Sequence, residues 1–311
     1  MSENTTIRLG TRGSRLALWQ AECVRDLLSR EAPMSDVEIT KVKTLGDKDQ
    51  KRSLQSLGRT GIFTAELDRA LMEGEVDLAV HSLKDVETSL PPGMILAAVL
   101  PRGPVEDALL GAASLDDLPQ GAAVGTGSAR RRAQLKALRP DLDVQDLRGN
   151  VPTRLERLDS GDLAAIVLAR AGLVRLGLAH RIGAVLSPEV FLPAVGQGAV
   201  AITCREDDAR IVPILRALDH GPTRRVVAAE RACLARLGGG CSVPLGVFGR
   251  LGEKEDRFLA GLFSPDGRRS RKVEVDFPKE ADPDTMGKAL AEELLDEDGR
   301  RILLDAEGAT P

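Results

Sequence analysis

The alternation of short apolar runs with amphipathic stretches is the feature of this sequence that most constrains its fold. A first series contains the apolar runs IRLG, VEITKVKT, VDLAV and MILAAVL, with helices predicted from about Ser14 and Thr64. A second series begins near residue 105, where the runs AAVGT, VQDLRG and AAIVLA each precede a helix. Strands that alternate with helices form mostly parallel sheets covered by those helices. The pattern therefore predicts two successive α/β domains.

The pattern changes near the end of the second series. The run GAVAITC (198–204) predicts a strand that can return the chain to the first domain, followed by a helix from about Glu206. Beyond Pro222 the sequence predicts a small α+β domain, made of a helix over 223–237, two strands around the turn SPDGRR, and an acidic helix over 284–296. The predicted domains are residues 1–100 with 199–219, residues 101–198, and residues 220–311.

Charge and composition narrow the classes of ligand. The formal net charge is -4, and aromatic residues make up 2% of the chain, with no tyrosine. An acidic protein with so few side chains for base stacking is unsuited to nucleic acid. The N-terminal segment has neither a basic region nor an apolar run, which predicts a cytoplasmic protein that does not bind a membrane. The four cysteines and three histidines show no metal-ligand spacing, so neither a metal site nor a disulfide framework is expected.

Arginines occur at four predicted junctions between a strand and the following helix. They are Arg12 and Arg15 in GTRGSR, Arg130, Arg131 and Arg132 in GTGSARRR, Arg148 and Arg154 in LRGNVPTR, and Arg170 and Arg175 in LARAGLVR. Open α/β sheets bind ligands at the carboxyl ends of their strands, and a cation beside a helix N-terminus opposes the helix dipole. Because this unfavourable placement of arginines recurs at four junctions, it points to a bound anion. The hydroxyl groups of Thr126 and Ser128 would also contribute to that anion site. The alternative is a set of solvated surface charges; if the arginines do bind a ligand, one with several carboxylates fits them best.

The stretch VHSLKDV places three titratable residues at another predicted strand end. His81, Lys84 and Asp85 lie within five residues of one another. A carboxylate beside a lysine in a crevice can stay ionised, stabilise a cation or transfer a proton. The alternative is a capping aspartate beside a surface lysine.

One cysteine lacks the apolar face that a buried thiol normally has. Cys23 and Cys233 fall on apolar helix faces and Cys204 ends an apolar strand, which predicts that these three thiols lie in the core. Cys241 follows three glycines in RLGGGCSVP, where flexible backbone would let its sulfur approach a ligand. The residues alone leave open whether Cys241 is reactive or an ordinary loop thiol.

Together these motifs resemble one enzyme family. TRGSRLALWQA, HSLKD, VGTGSARRRAQL, LRGN, LPAVGQGA and ERACLARLGGGCSVP, in this order, closely resemble hydroxymethylbilane synthase, also called porphobilinogen deaminase, from about residue 7 to about residue 250. The resemblance implies two α/β domains like those of type II periplasmic binding proteins and a small α+β third domain. It also implies a cytoplasmic, monomeric transferase that condenses four porphobilinogen units into hydroxymethylbilane, releasing ammonia at each addition. A dipyrromethane cofactor would be held by a thioether to Cys241, with no metal.

The resemblance also assigns roles to residues by motif. It implies that Asp85 contacts pyrrole N–H groups and stabilises the cation formed from the substrate, with Lys84 beside it. The implied cofactor-binding residues are Cys241, Lys84, Asp85, Thr126, Ser128, Arg130, Arg131 and Arg148. The implied substrate-binding residues are Arg12, Ser14, Arg148, Arg154 and Arg175. Gln197, in LPAVGQGA, is interpreted as structural.

Two places depart from the family pattern. The stretch 45–60 lacks the paired lysines expected near its closing glycine, and Lys51, Arg52 or Arg59 are the candidates to replace them. Because this stretch has little apolar periodicity, we predict a mobile lid. Gly127 stands where the family commonly has a hydroxyl, so that contact is expected to be missing.

The competing interpretation of the whole chain is an anion-binding module of the solute-receptor or effector-binding class. Such a receptor should carry an export signal, and such a regulator a DNA-binding segment.

Overall fold

The chain divides into two compact units in the computed structural model, which describes residues 6–43, 64–238 and 243–308. The first unit contains the described residues up to Gly103 together with Gly198–Arg224. The second contains Pro104–Gln197 and the described residues from Arg225 onward. The predicted lid and Cys241 lie outside the described residues. The finer division into three domains stays a prediction.

Five strands form the sheet of the first unit, in the order β2-β1-β3-β10-β4. They are β1 (Ile7–Arg12), β2 (Val37–Val42), β3 (Leu78–Ser82), β4 (Met94–Val99) and β10 (Val200–Arg205). Its helices are α1 (Arg15–Glu31), α2 (Ala65–Met72) and α6 (Ile211–Ala217). Strands β1, β2 and β3 run parallel, whereas β10 is antiparallel to both β3 and β4. Apolar side chains such as Leu9, Val24 and Ile202 fill the space between this sheet and its helices.

The second unit contains a five-stranded sheet in the order β7-β6-β8-β5-β9. Its strands are β5 (Asp107–Leu110), β6 (Ala123–Gly125), β7 (Asp143–Gln145), β8 (Ala165–Ala169) and β9 (Ala184–Leu186). Its helices are α3 (Ala129–Leu138), α4 (Val151–Asp159) and α5 (Arg170–Arg175). Strands β6, β7 and β8 run parallel, and β5 is antiparallel to β8 and β9.

In each sheet four of the five strands run in the same direction and one strand is antiparallel to them, so the prediction of mostly parallel sheets is confirmed, although both sheets are mixed. The antiparallel strand in each sheet is the one that the chain enters from the other unit: β5 follows β4, and β10 follows the second unit. Two neighbouring strands run parallel when a crossover connection, usually a helix, joins them on one face of the sheet. The chain enters β5 and β10 from the other unit, without such a connection, so these two strands can run antiparallel to their neighbours. The helix predicted from about Glu206 begins at Ile211.

A separate antiparallel sheet occupies the C-terminal part of the second unit, in the order β11-β12-β13. This part contains α7 (Gly221–Arg236), whose residues from Arg225 onward belong to the second unit, together with β11 (Leu245–Leu251), β12 (Glu255–Phe263), β13 (Ser270–Pro278), α8 (Pro283–Leu294) and α9 (Glu297–Gly308). Alternate side chains of β13 are exposed, as in a sheet with one covered face. The sequence prediction missed β11 and α9. The predicted fold class, two α/β domains and a small α+β C-terminal domain, is confirmed.

The helices of this C-terminal part pack closely on one another. A Cβ at Gly287 of α8 would lie 2.3 Å from the carbonyl oxygen of Ala229 in α7, so only glycine permits this approach. Cys233, Phe258 and Leu290 are fully buried in the core beneath these helices. Within the described ranges, no helix combines the length and the apolar character needed to cross a membrane.

Candidate active site

The predicted anion-binding residues of the second unit lie at one edge of its sheet. Strands β6, β7 and β8 are parallel, so their carboxyl ends share an edge, and α3, α4 and α5 each follow one of them. The residues placed on these strand ends, loops and helices are Thr126, Ser128, Arg130, Arg131, Arg148, Arg154 and Arg175. Arg148, Arg154 and Arg175 are half-buried, whereas Arg130 and Arg131 are each only 4% exposed.

Arg130 and Arg131 share one fully buried carboxylate. Arg130 Nη2 donates to Asp107 Oδ2 at 2.7 Å, and Arg131 donates to Asp107 Oδ1 from Nη2 at 2.7 Å and from Nε at 3.1 Å. Each guanidinium also donates to a carbonyl oxygen: Arg130 to that of Leu192 and Arg131 to that of Val167. The three charged groups therefore form one hydrogen-bonded cluster.

The electrostatics of this cluster leave it positive. Burial alone would raise the pKa of Asp107, but Arg130 and Arg131 hold it well below its ordinary value, so the carboxylate stays ionised. Burial lowers the pKa of Arg130 from an ordinary value that lies far above neutral pH. Two cations then share one anion, which leaves an excess positive charge in a buried position. An additional anion is the group that would balance it.

The turn between β6 and α3 is held by its own hydroxyl groups. The Ser128 Oγ accepts from the Arg131 backbone N–H at 3.4 Å and caps α3, and the Thr126 Oγ1 accepts from the Ser128 N–H at 3.3 Å. A Cβ at Gly127 would lie 2.7 Å from the Leu147 carbonyl oxygen. This close approach explains why residue 127 is a glycine in this chain.

The loop between β7 and α4 positions two more arginines. Arg148 Nε lies 3.5 Å from Asp146 Oδ2, and Arg154 Nε donates to the Gly149 carbonyl at 2.8 Å. Gly149 has a φ of 96°, a conformation that favours glycine, and Asn150 caps α4 by accepting from the Thr153 N–H. The LRGN motif therefore fixes the path of the backbone from which both side chains extend.

In the first unit, Lys84 and Asp85 lie in one turn of 3-10 helix, Leu83–Asp85, directly after β3. Leu83 anchors the turn because its side chain is buried and its N–H donates to the Ala199 carbonyl at 3.0 Å. Lys84 and Asp85 are half-buried. Because β1 and β3 are parallel, Arg12 at the end of β1 lies at the same edge of the sheet.

Neighbouring polar residues support this edge. Ser14 caps α1, its Oγ accepting from the Ala17 N–H at 3.2 Å, and the buried Gln20 donates to Ser82 Oγ at 3.0 Å. His81 is buried, with Nε2 lying 3.3 Å from Thr203 Oγ1. Burial, and then the charge of Arg12, lower the pKa of His81 to about 4. His81 is therefore neutral at pH 7.

The cysteines that the structure describes include two buried thiols. Cys204 and Cys233 lie fully in the core, as predicted, and burial raises their pKa values to about 11 and about 12. Cys23 is half-buried against the core and so is less enclosed than predicted. Apart from the segments outside the described ranges, no group of three or more His, Cys, Asp or Glu side chains is arranged to hold a metal ion.

Three buried polar residues of these networks had no predicted role. Asp107 joins Arg130 to Arg131, Gln20 supports Ser82, and Glu230 accepts from the Gly196 N–H at 2.8 Å. For Asp107, the sequence offered one signal, which is that this carboxylate begins the apolar run DALL. Gln197, interpreted as structural, donates to Asp107 Oδ1 at 2.9 Å and accepts from Arg131 Nη2 at 3.4 Å.

Comparisons with known proteins identify two family models. Residues 7–213 match the porphobilinogen deaminase dipyrromethane cofactor binding domain, and residues 225–296 match the porphobilinogen deaminase C-terminal domain. The porphobilinogen deaminase of Ralstonia nicotianae is 47% identical over 304 residues, covering 96% of this chain and 91% of that protein. The porphobilinogen deaminase of Xanthomonas axonopodis pv. citri is 48% identical over 306 residues, covering 97% and 99%.

Two of the solved structures with weaker likeness are binding proteins of transport systems. A TRAP periplasmic solute binding protein from Desulfovibrio salexigens has a TM-score of 0.41 and 12% identity, covering 70% of this chain and 72% of that one. A probable amino-acid ABC transporter extracellular-binding protein from Bacillus subtilis has a TM-score of 0.42 and 13% identity, covering 70% and 90%.

Proposed function

Because this chain belongs to the porphobilinogen deaminase family and is therefore a transferase of tetrapyrrole biosynthesis, we propose that it carries a dipyrromethane cofactor on Cys241. On this cofactor it condenses four porphobilinogen units head to tail and releases hydroxymethylbilane. Each addition forms one carbon–carbon bond between pyrroles and releases one ammonia. Water then releases the completed tetrapyrrole. When bound, the cofactor supplies the nucleophilic pyrrole carbon to which the first unit is joined.

The excess positive charge around Asp107 is the observation that carries this proposal. Each pyrrole of the cofactor and of the growing product bears an acetate and a propionate. Arg130 and Arg131 supply a fixed, buried cationic centre, and Arg148, Arg154 and Arg175 supply half-buried guanidinium groups at the same sheet edge. Guanidinium groups bind carboxylates through paired charge-assisted hydrogen bonds. The residues present therefore fit a ligand with several carboxylates.

Asp85 and Lys84 are the residues proposed for the chemistry. Porphobilinogen becomes a cation, conjugated to its pyrrole nitrogen, when it loses ammonia. The Asp85 carboxylate accepts a hydrogen bond from that pyrrole N–H and stabilises the positive charge. Lys84, adjacent in the same 3-10 turn, contributes a positive charge for a ligand carboxylate. Arg12 and Ser14 are the proposed substrate contacts from the first unit.

The state of two other thiols, Cys204 and Cys233, favours Cys241 over them as the attachment point. A thioether forms when a thiolate attacks the electrophilic methylene carbon of the pyrrole cation. Cys204 and Cys233 have pKa values raised to about 11 and about 12, so both are protonated thiols enclosed by apolar side chains. Neither can supply a thiolate at neutral pH.

Intact mass spectrometry of the purified chain tests the proposal. The wild-type protein should exceed its sequence mass by two pyrrole units, and Cys241→Ser should have the sequence mass and no synthase activity. Cys23→Ser, Cys204→Ser and Cys233→Ser are the controls, since burying a hydroxyl can cost ~1–3 kcal/mol of stability but leaves the adduct in place. An adduct that survives Cys241→Ser, or a wild-type protein without one, would refute the assignment. The second result would favour a non-covalent anion-binding module.

Family membership supports four further proposals. The chain acts as a monomer in the cytoplasm, without a nucleic-acid or membrane partner, and it has three domains, 1–100 with 199–219, 101–198 and 220–311. Light scattering of the purified protein at assay concentration measures the oligomeric state, and a dimer mass would contradict the first of these. Limited proteolysis reports the domain boundaries, because cleavage between compact domains should release fragments that end near them.

A further inference from the structure

We propose that Asp107 is a positioning residue, which fixes the directions of Arg130 and Arg131 so that they can receive a ligand carboxylate. This inference rests on the proposed function, because the ligand is the dipyrromethane cofactor. Asp107 itself is fully buried and fully engaged by its two arginines and Gln197, so it acts only through them.

The hydrogen bonds of the two arginines differ in a way that supports this role. A guanidinium carries five N–H donors. Arg131 makes four hydrogen bonds, two to Asp107 and one each to Val167 and Gln197. Arg130 makes two, to Asp107 and Leu192, and its buried Nε has no hydrogen-bond partner among the described residues. Arg131 is therefore held almost completely by the protein, and Arg130 keeps donors for a ligand.

The cluster is anchored to the C-terminal part of the same unit. Gln197 donates to the Val105 carbonyl at 2.7 Å as well as to Asp107. The preceding residue, Gly196, donates its N–H to Glu230 in α7, whose other carboxylate oxygen accepts from the Gly249 N–H at 3.3 Å. Glu230 is fully buried. The backbone that carries Gln197 is therefore fixed on two sides, and Asp107 cannot shift with its arginines as a loose surface pair would.

Asp107 could act through its negative charge or through the geometry that it gives to the two arginines, and these two roles predict opposite effects of its removal on cofactor uptake. Asp107→Asn adds one positive charge to the cluster, and charge alone would then strengthen the attraction for an anionic ligand. If Asp107 instead sets the geometry, the variant should take up the cofactor more slowly in spite of its greater positive charge. A geometric effect also persists at about 0.5 M NaCl, where long-range attraction between charges is screened.

Asp256 provides a matched control within the same unit. It too is a fully buried aspartate shared by two cations, Arg225 at 2.6 Å and Lys279 at 3.0 Å, but it lies on β12 in the C-terminal sheet. Asp107→Asn and Asp256→Asn each remove one buried carboxylate. A general loss of stability should therefore affect both variants, whereas a positioning role concerns Asp107 alone.

The experiment follows cofactor attachment to the full-length protein. Cofactor-free chains of the wild type and both variants are incubated with porphobilinogen at low and high salt, and intact mass records the rate at which the two-pyrrole adduct appears. Melting temperatures are measured in parallel, and all reactions are run well below the lowest of them. We expect Asp107→Asn to be slowed by about ten-fold or more at both salt concentrations, since misplacement by ~1 Å can cost ~100-fold. Asp256→Asn should melt at a lower temperature but attach cofactor at the wild-type rate.

Two results would overturn the inference. One is attachment to folded Asp107→Asn at or above the wild-type rate, and the other is equal slowing in both variants. If Asp107→Asn does not fold, Gln197→Met replaces it, because this variant keeps all three charges and removes only the amide's hydrogen bonds. Slower attachment to Gln197→Met supports positioning, and an unchanged rate overturns it. Failure of the wild type to acquire the adduct would instead refute the proposed function.

Discussion

His81 should make the stability of the first unit depend on pH. Its folded-state pKa is lowered from 6.5 to about 4, by burial first and by the charge of Arg12 second. Between these two values the unfolded chain binds a proton that the folded protein does not, so the free energy of unfolding falls as pH falls. At ~1.36 kcal/mol per pH unit, the interval gives a loss of about 3 kcal/mol that is complete below pH 4 and absent well above pH 6.5.

The single tryptophan allows this loss of unfolding free energy to be measured for the first unit of the chain. Trp19 lies on α1, which packs on the sheet that contains His81. Urea unfolding followed by Trp19 fluorescence, at a series of pH values from about 7.5 to 4, yields the free energy of unfolding of that unit. The comparison is with His81→Gln, whose side chain can still hydrogen-bond Thr203 but does not titrate in this range.

The expected result is a difference in slope between the two proteins. Carboxylates that titrate in this range are common to both and cancel in the comparison. The wild type should therefore lose about 3 kcal/mol more than His81→Gln between the ends of the series. Parallel curves would show that His81 accepts a proton in the folded state at its ordinary pKa, and the reasoning from burial would fail.

Three further predictions concern the site. Asp85→Asn should lower turnover by ~100-fold or more while leaving the two-pyrrole adduct and the melting temperature unchanged, and near-normal steady-state kinetics would contradict its role. Arg148→Ala should impair cofactor attachment, whereas Arg175→Ala should attach cofactor and accumulate later intermediates. Native mass spectrometry during turnover distinguishes them, and identical intermediate patterns would count against separate roles. Gly127→Ser should cost ~1–3 kcal/mol in calorimetry, because its Cβ would meet the Leu147 carbonyl oxygen at 2.7 Å; an unchanged melting temperature would rule this out.

The positions of the arginines could be predicted from the sequence, but their partners could not. A strand followed by a helix is visible as a local change in periodicity, so the junctions at Arg12, Arg130 and Arg148 follow from neighbouring residues. The burial of Arg130 and Arg131 depends on Asp107, which lies 23 and 24 residues earlier in the chain. Nothing local distinguishes a guanidinium that meets a buried carboxylate from one that meets water.

In the fold, too, the features set by neighbouring residues could be predicted from the sequence, whereas those set by distant parts of the chain could not. The strand β10 was predicted from its apolar run, whereas its antiparallel direction depends on the route by which the chain returns from the second unit. Strands β5 and β9 were missed because neither is followed by a helix that would mark it as part of the alternating pattern, whereas β6 and β7, which are no longer, each precede one. The buried state of Cys204 and Cys233 could be predicted, since a strand or helix face determines it.

The insertion of β10 between β3 and β4 imposes an order on the folding of a chain that is still being synthesised. About 100 residues separate the end of β4 from the start of β10, which corresponds to roughly 5–20 s of translation. During that time the edges of β3 and β4 that will pair with β10 have no partner, and unpaired strand edges accept foreign strands. The second sheet, in contrast, uses strands from the continuous stretch 107–186 and can close as soon as that stretch leaves the ribosome. The sheet that is translated first is therefore completed after the sheet that is translated second, and a ribosome that pauses between residues 100 and 200 prolongs the exposure of both edges.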